Sequence, residues 1–183
     1  TYEGVTYAAT NSSTIKVSQI KHVGLGLGLF IHYSNAGTYA GSISGVAISP
    51  ANTFAPSTAP LAFIRQWIRV AKSMGATYLN LTAKHHEGFC LWPSATQPHN
   101  LTASSWYAGA GSPNIVQIFM DECRAEGMGA WLYLSIKDIK WEQDNPGFTN
   151  ASLRAFCLAQ ITELLAYKPD GLWFDGYAWA GNV

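Results

Sequence analysis

The stretch Thr77-Tyr78-Leu79-Asn80-Leu81-Thr82-Ala83, followed at once by Lys84-His85-His86-Glu87, decides the fold. Its first seven residues are mostly apolar, which is typical of a strand buried on both faces, and polar residues begin where the strand ends. Three further segments share this design, and they are Leu27 to Tyr33, Ala130 to Ser135 and Gly171 to Asp175. Amphipathic segments with apolar residues at helical spacing separate them. The sequence therefore predicts an α/β fold made of βα units around a parallel sheet.

Three helices are predicted between these strands. The first runs from Pro60 to a stop at Gly75, the second is capped by Ser112-Pro113, and the third begins at Asn150. A complete eight-stranded βα barrel takes about 250 residues, whereas this sequence has 183 residues. The prediction is the N-terminal half of a (β/α)8 TIM barrel, with about four βα units. Residues 1–183 would form one partial barrel domain that ends after the fourth strand.

Polar side chains stand at the carboxyl end of each predicted strand. His32 closes the first strand, His85 and His86 follow the second, Ser135 ends the third and Asp175 ends the fourth. In a closed βα barrel these ends converge on the face that carries the chemistry. Asp175 suits nucleophilic attack because it sits at the rim of an apolar, aromatic strand. The alternative for Asp175 is a loop-capping carboxylate that accepts hydrogen bonds from backbone amides.

Composition narrows the classes of partner. The chain has 11 Lys+Arg and 11 Asp+Glu, and only 12% of its residues are charged. Without a basic stretch it lacks the electrostatic footprint of a protein that binds nucleic acid or anionic membranes, so a neutral substrate is expected. No apolar run reaches the roughly 18 residues of a membrane span. Because Thr1 is neither an initiator Met nor part of a signal peptide, we expect a chain that is processed or cut from a longer one.

Two strings resemble known motifs without matching them. The run Gly24-Leu25-Gly26-Leu27-Gly28 leads into a strand instead of leaving one, so it is not a phosphate-binding loop. His86-Glu87 would need a second His at position 90 to resemble a zinc protease, and Cys90 stands there. Neither a phosphate-binding loop nor metal-dependent hydrolysis is therefore expected from these two motifs. The three cysteines are too few and too widely spaced for a disulfide framework, and we expect buried free thiols.

Glycosylation acceptors favour a secretory route, with the protein secreted or held in another compartment of that pathway. Four acceptor triplets occur, and they begin at Asn11, Asn80, Asn100 and Asn150. Asn80 lies within a predicted strand and should be too buried for modification.

Taken together, the sequence motifs at and around the strand ends resemble those of the α-L-fucosidases of glycoside hydrolase family 29. The resemblance is carried by Gly28-Leu29-Phe30-Ile31-His32-Tyr33, Gly75-Ala76-Thr77-Tyr78, Leu81-Thr82-Ala83-Lys84-His85-His86-Glu87-Gly88-Phe89-Cys90-Leu91-Trp92-Pro93-Ser94 and Pro169-Asp170-Gly171-Leu172-Trp173-Phe174-Asp175-Gly176. Both the order and the spacing of these strings fit the family, from about residue 24 to the end of the chain.

The resemblance implies roles for five of these residues. Asp175 would be the nucleophile of a retaining exo-glycosidase that removes terminal α-L-fucose through a covalent glycosyl-enzyme. His32, His85 and His86 would hold fucose hydroxyls, and Trp173 would line the same subsite. The implied partner is a fucosylated glycan or a small fucoside, and no cofactor is implied.

The sequence departs from the family pattern at several positions. Glu87 stands where the family usually has Asp, and Tyr33 stands where it often has Trp. The Glu-Trp pair that contacts fucose in many members has no counterpart in residues 34–60, and no sugar contact is assigned to Tyr133. The general acid/base follows a later strand in the family, so we expect it outside this chain. Glu87, Asp138 and Glu142 are the acids near the proposed face, and none is assigned that role.

Two alternatives to the fucosidase hypothesis stay open at this point. One is a non-catalytic or vestigial carbohydrate-binding relative that keeps the histidines but lacks an acid/base. The other is a sugar-cleaving barrel with a different glycone. A half barrel would also leave both sheet edges open and its inner face unfilled, so the isolated chain should aggregate or need a partner, such as a second copy in a homo-oligomer.

Overall fold

A four-stranded parallel sheet forms the centre of the molecule. In a computed structural model of the chain, the structure describes residues 26–35 and 51–176. The strands are β1 (Leu27–Ile31), β2 (Ala76–Lys84), β3 (Gly129–Ser135) and β4 (Gly171–Asp175). They pair in the order β1-β2-β3-β4, and every pairing is parallel. The predicted α/β fold with about four βα units is confirmed, and this sheet fits a partial barrel.

Helices follow the strands in the alternation that parallel sheets require. The α-helices are α1 (Pro60–Ser73), α2 (Ser105–Gly109), α3 (Ile115–Ala125), α4 (Ile139–Asp144) and α5 (Asn150–Leu165), and two single 3-10 turns span Ala51–Thr53 and Leu101–Ala103. None of the helices in the described residues has the length and apolar character needed to cross a membrane. The domain limits of 1–183 stay a prediction, because residues 1–25, 36–50 and 177–183 lie outside the described ranges.

The strands agree with the sequence prediction to within two residues at each end. Only β1 ends clearly early, at Ile31 instead of Tyr33. The backbone N–H of Tyr33 donates to the Thr82 hydroxyl over 2.9 Å, and that hydroxyl donates to the Tyr33 carbonyl over 2.7 Å. The Thr82 side chain therefore bonds the backbone N–H and carbonyl of Tyr33, which a longer β1 would pair with the backbone of β2. The chain leaves the sheet at this point, with His32 at the sheet edge.

Two features of the helices differ from the prediction. Ser112-Pro113 does not cap the second predicted helix, because Ser112 adopts a left-handed φ of 57° and lies in the preceding turn. Asn114 is the cap, and its side-chain oxygen accepts from the backbone N–H of Gln117. Helices α2 and α4 also stand in connections for which the sequence predicts no helix. The third predicted helix begins at Asn150 as expected, capped by a reciprocal pair between Thr149 and Ser152.

The main core lies between the sheet and the helices. Leu79, Leu81 and Ala83 alternate along β2 and are fully buried on the side that α1 and α3 cover. Ile64 and Ile68 of α1, and Phe119 of α3, meet them there, also without exposure. The three cysteines are buried and free, as predicted. This layer fixes the strands and leaves their opposite faces directed into the open half barrel.

The inner face of the sheet is built from paired large and small residues. A side chain at Gly28 would overlap the Tyr78 ring, and one at Gly171 would overlap the Trp131 ring. Each glycine thus makes room for an aromatic ring on the neighbouring strand, as the interior layers of a barrel require. Phe30 and Trp173 belong to the same face and are 44% and 53% exposed. Within the described residues, this face of the sheet therefore carries exposed aromatic rings at its two edge strands.

Candidate active site

The carboxyl ends of the four strands bring the predicted site residues together. His32 lies one residue beyond β1, His85 and His86 lie directly beyond β2, and Asp175 ends β4. The ring centroids of His32 and His85 are 4.5 Å apart, and those of His85 and His86 are 4.1 Å apart. His86 Nε2 lies 3.8 Å from Asp175 Oδ2. Residues about 140 positions apart in sequence therefore form one continuous polar cluster.

Asp175 is held as an ionised, accessible carboxylate. Its Oδ2 accepts from the Tyr133 hydroxyl over 2.8 Å, and its Oδ1 accepts from the backbone N–H of Gly176 over 2.6 Å. Partial burial alone would raise the pKa of the Asp175 carboxyl, but these two hydrogen bonds and the nearby His86 together lower it. The side chain is 48% exposed. A carboxylate with these properties can attack an electrophilic carbon that approaches from the inner face.

Tyr133 is a site residue that the sequence interpretation missed. It lies on β3 with 2% exposure, and its ring stacks on that of His85 at 5.7 Å and an angle of 13°. The same ring therefore supports an imidazole while its hydroxyl orients Asp175. The sequence could have indicated Tyr133, because Tyr133 and Ser135 are two residues apart on one strand and their side chains therefore share a face.

Trp173 lies two residues before Asp175, and alternation puts both on the inner face. Its ring stands edge-on to Phe30 at a centroid distance of 6.1 Å. Phe30 in turn lies 6.1 Å from the His32 ring and 5.4 Å from the Tyr133 ring. The structure therefore joins Trp173 to the polar cluster through Phe30, and the two rings form an apolar wall beside it.

The two adjacent imidazoles have different partners at Nδ1. His85 Nδ1 lies 3.2 Å from Glu87 Oε2, and the other oxygen of that buried carboxylate accepts from the Ser34 hydroxyl. His86 Nδ1 lies 2.6 Å from the Ser135 hydroxyl oxygen. Burial, and secondly the charge of His85, lowers the pKa of His86 to about 4. The same two causes lower the pKa of His32. At neutral pH His32 and His86 are therefore uncharged, and each can both donate and accept a hydrogen bond.

The three acids near this face are engaged elsewhere. Asp138 is fully buried, and its Oδ2 lies 3.0 Å from Lys84 Nζ. Glu142 forms an ion pair with Lys137, and Glu87 is held by Ser34 and His85. Each of the three carboxylates therefore already has a partner other than Asp175. Within residues 26–35 and 51–176, moreover, no group of three or more His, Cys, Asp or Glu side chains could hold a metal ion.

Gly88 closes the turn that presents His85 and His86. It has a φ of +92°, and its N–H donates to the His85 carbonyl over 3.0 Å. A Cβ at Gly88 would stand 2.1 Å from Asp138 Oδ1. Only glycine meets both demands, since the left-handed conformation and the close approach each exclude a side chain.

Gly88→Ala is expected to lower the free energy of unfolding by more than Gly147→Ala does. Gly147 has a similar φ of +86°, and a Cβ added there would meet no atom within 4 Å, so it reports the conformational cost alone. The overlap with Asp138 adds about 1–3 kcal/mol at Gly88. Urea denaturation of both variants measures the difference, and equal losses would contradict the close packing of this turn.

Comparison with known proteins decides the family. The sequence model of the alpha-L-fucosidase family matches residues 51–181. The chain belongs to this family. Alpha-L-fucosidase 1 of Arabidopsis thaliana is 31% identical over 153 residues, which are 82% of this chain and 28% of that protein. The chain thus spans less than a third of the length of this relative.

Solved structures of α-L-fucosidases and related enzymes share the fold. A glycoside hydrolase 29 family member from an unknown rumen bacterium superposes with a TM-score of 0.66 at 34% identity, covering 81% of this chain and 25% of that one. A GH29 α-L-fucosidase from Bacteroides thetaiotaomicron, trapped as a covalent intermediate with 2-fluoro-fucosyl fluoride, gives a TM-score of 0.52 at 28% identity. That match covers 62% of this fucosidase chain and 27% of the trapped enzyme.

Proposed function

We propose that this fucosidase chain carries the nucleophile and the sugar-binding histidines of a retaining exo-α-L-fucosidase. One observation carries the proposal: the half-exposed Asp175 carboxylate accepts a hydrogen bond from Tyr133, and its Oδ2 lies 3.8 Å from His86 Nε2. Its substrate would be a fucosylated glycan or a small fucoside. The coarser conclusion, that the chain belongs to a glycosidase family, rests on the family match itself.

In the proposed reaction one oxygen of Asp175 attacks the anomeric carbon of an α-L-fucoside. The bond from that carbon to the leaving oxygen breaks as the ester bond to Asp175 forms, and the leaving oxygen takes a proton from a general acid. Water then attacks the same carbon, gives up a proton to that group acting as a base, and releases Asp175. The trapped covalent intermediate of the related Bacteroides enzyme supports this two-step course.

Fucose would be bound through its hydroxyls and its methyl group. We assign hydroxyl contacts to His32, His85 and His86, because an imidazole can donate to a sugar hydroxyl and the uncharged His32 and His86 can also accept from one, which suits adjacent hydroxyls of an uncharged sugar. Trp173, together with Phe30, would supply the apolar wall for the methyl group.

The general acid/base is not assigned to any described residue. A retaining glycosidase needs it about 5 Å from the nucleophile. Asp138, Glu142 and Glu87 each have a buried or paired position that this role does not fit. We propose, as the resemblance to the family implies, that the acid/base lies outside this chain.

A second candidate function follows from the same observation. Without an acid/base among the described residues, the cluster could bind fucose and not cleave it. Hydrolysis of aryl α-L-fucoside by the longest form of the protein separates the two functions. The enzyme hypothesis predicts turnover of the fucoside and none of aryl galactosides, glucosides or mannosides. Fucose binding without turnover would support the binding protein, and turnover of another glycoside would replace fucose as the glycone.

Tyr133→Phe is expected to raise the pKa of Asp175 and to lower kcat/KM about tenfold, because Asp175 Oδ2 loses its hydroxyl donor. The acid limb of the kcat/KM profile against pH should move to higher pH, since the free carboxylate forms only above its raised pKa. Tyr167→Phe is the control, because the Tyr167 hydroxyl contacts Asn114 away from the site. An acid limb that stays in place would remove Tyr133 from the proposal.

We also propose a secretory compartment for the protein, supported by the glycosylation acceptors. Asn80 is 3% exposed and Asn100 is 2% exposed, so neither suits modification in the folded chain. Asn150, at the start of α5, is exposed. A glycan on Asn150, detected by mass spectrometry of the native protein, would support this route. A homo-oligomer stays a prediction.

A further inference from the structure

Ser135 bridges the third strand and the imidazole of His86. Its hydroxyl oxygen lies 2.6 Å from His86 Nδ1, and its hydroxyl donates to the backbone carbonyl of Lys137 over 2.7 Å. The Ser135 side chain is fully buried. Its position is fixed by the turn that follows β3, in which Ile136 donates to the Asp175 carbonyl over 2.8 Å and Ile139 donates to the His86 carbonyl over 2.9 Å.

The direction of these hydrogen bonds determines where His86 carries its proton. A carbonyl oxygen can only accept, so the single hydroxyl proton of Ser135 is committed to Lys137. The contact between Ser135 and His86 then requires a proton on Nδ1. In the neutral imidazole the lone pair must consequently be on Nε2, which lies 3.8 Å from Asp175 Oδ2.

We propose that Ser135 is a positioning residue that fixes His86 as the Nδ1–H tautomer, so that Nε2 accepts a hydrogen bond from a hydroxyl of the bound sugar. This role rests on the proposed function. The Asp175 carboxylate can only accept, so an Nε2–H form of His86 would direct that proton toward Asp175 Oδ2, 3.8 Å away, and could not accept a hydrogen bond from the sugar at Nε2. The Nδ1–H form leaves no proton on the His86 nitrogen that faces Asp175 and makes the same imidazole an acceptor for substrate.

The charged and titratable groups around His86 come from three of the four strand ends. They are His32 after β1, His85 and Glu87 after β2, and Asp175 at the end of β4, while β3 contributes the uncharged Ser135. Burial and the charge of His85 oppose protonation of His86, and Asp175 and Glu87 favour it. With its pKa at about 4, His86 stays neutral across the range in which the tautomer matters.

The test is nitrogen-15 NMR of the imidazoles at pH 7, where protonated and unprotonated ring nitrogens have distinct chemical shifts. Wild-type protein is expected to show the Nδ1–H form of His86, and Ser135→Ala a mixture of both tautomers. Ser135→Thr keeps a hydroxyl and should restore the Nδ1–H form. An Nε2–H form in the wild type, or an unchanged tautomer in Ser135→Ala, would overturn the proposal.

A titration with free L-fucose separates this inference from the proposed function. Binding should shift the Nε2 resonance of His86 in the wild type, and kcat/KM for an aryl fucoside should fall about tenfold in Ser135→Ala and recover in Ser135→Thr. If fucose does not bind and the fucoside is not cleaved, although the wild type has the Nδ1–H form, the proposed function fails and the tautomer assignment stands. If fucoside is cleaved equally by wild type and Ser135→Ala, the role of Ser135 fails and the fucosidase function stands.

Discussion

Asp175→Asn is expected to lower kcat for an aryl α-L-fucoside by at least about 10³-fold in the longest form of the protein. The amide keeps the size of the side chain but is not a nucleophile, so the covalent step is lost. The Tyr133 hydroxyl can still donate to the amide oxygen. Binding of fucose should therefore change much less than turnover, which initial rates and a binding titration measure separately.

Asp144→Asn is the matched control for this experiment. Asp144 is an exposed carboxylate on α4 that pairs with Lys140 and has no role in the proposed reaction. Its replacement should leave kcat unchanged. Activity of Asp175→Asn within about tenfold of the wild type would exclude Asp175 as the nucleophile and leave it as a loop-capping residue.

Asp138→Ala is expected to lower the free energy of unfolding by about 3–5 kcal/mol. Both Lys84 and Asp138 are fully buried, and their charged atoms are 3.0 Å apart. Asp138 also accepts from the Gln97 amide and from the backbone N–H of Trp141, and Lys84 donates to Gln160. Removing the carboxylate leaves an uncompensated buried ammonium group, and this is what makes the loss large.

The double variant Lys84→Met, Asp138→Ala tests whether the unpaired charge of Lys84 causes this loss of stability. Because it removes both charges, it should be more stable than Asp138→Ala alone, as measured by urea denaturation. Removing one partner of the exposed Lys140–Asp144 pair should cost at most about 1 kcal/mol. If the double variant loses as much free energy of unfolding as Lys84→Met and Asp138→Ala lose in sum, the two groups do not act as a pair.

The sequence was sufficient for the parts of the fold that depend on local pattern. The apolar strands could be bounded because their two-sided burial gives continuous apolar runs, and β4 agrees at both ends. Asn150 begins α5 as predicted. Helix α4 was missed because it has six residues, too few for a periodic signal. The cap of α3 was misplaced, because serine and asparagine both suit a cap and only the backbone angle of Ser112 excludes it.

The sequence predicted that four polar side chains would lie at one edge of the sheet, but it did not predict how they contact one another or that Tyr133 joins them. His32, His85, His86 and Asp175 were identified because parallel strands bring their carboxyl ends to one edge. The partners of these residues depend on contacts between strands that no local pattern contains. Tyr133 reaches Asp175 across 42 positions, and Ser135 reaches His86 across 49. The Lys84–Asp138 pair likewise depends on a turn whose path is set only in the folded chain.

Mechanism-based labelling tests the central claim, that Asp175 is the nucleophile at one shared sugar site. The protein is incubated with 2-fluoro-fucosyl fluoride, digested, and its peptides are sequenced by mass spectrometry. Fluoride leaves without strong acid assistance, so the first step can proceed while the 2-fluoro group slows hydrolysis of the ester. We predict a single fluoro-fucosyl group on Asp175, lost in Asp175→Asn. A label on another residue, or none in a protein that hydrolyses fucosides, would contradict the account.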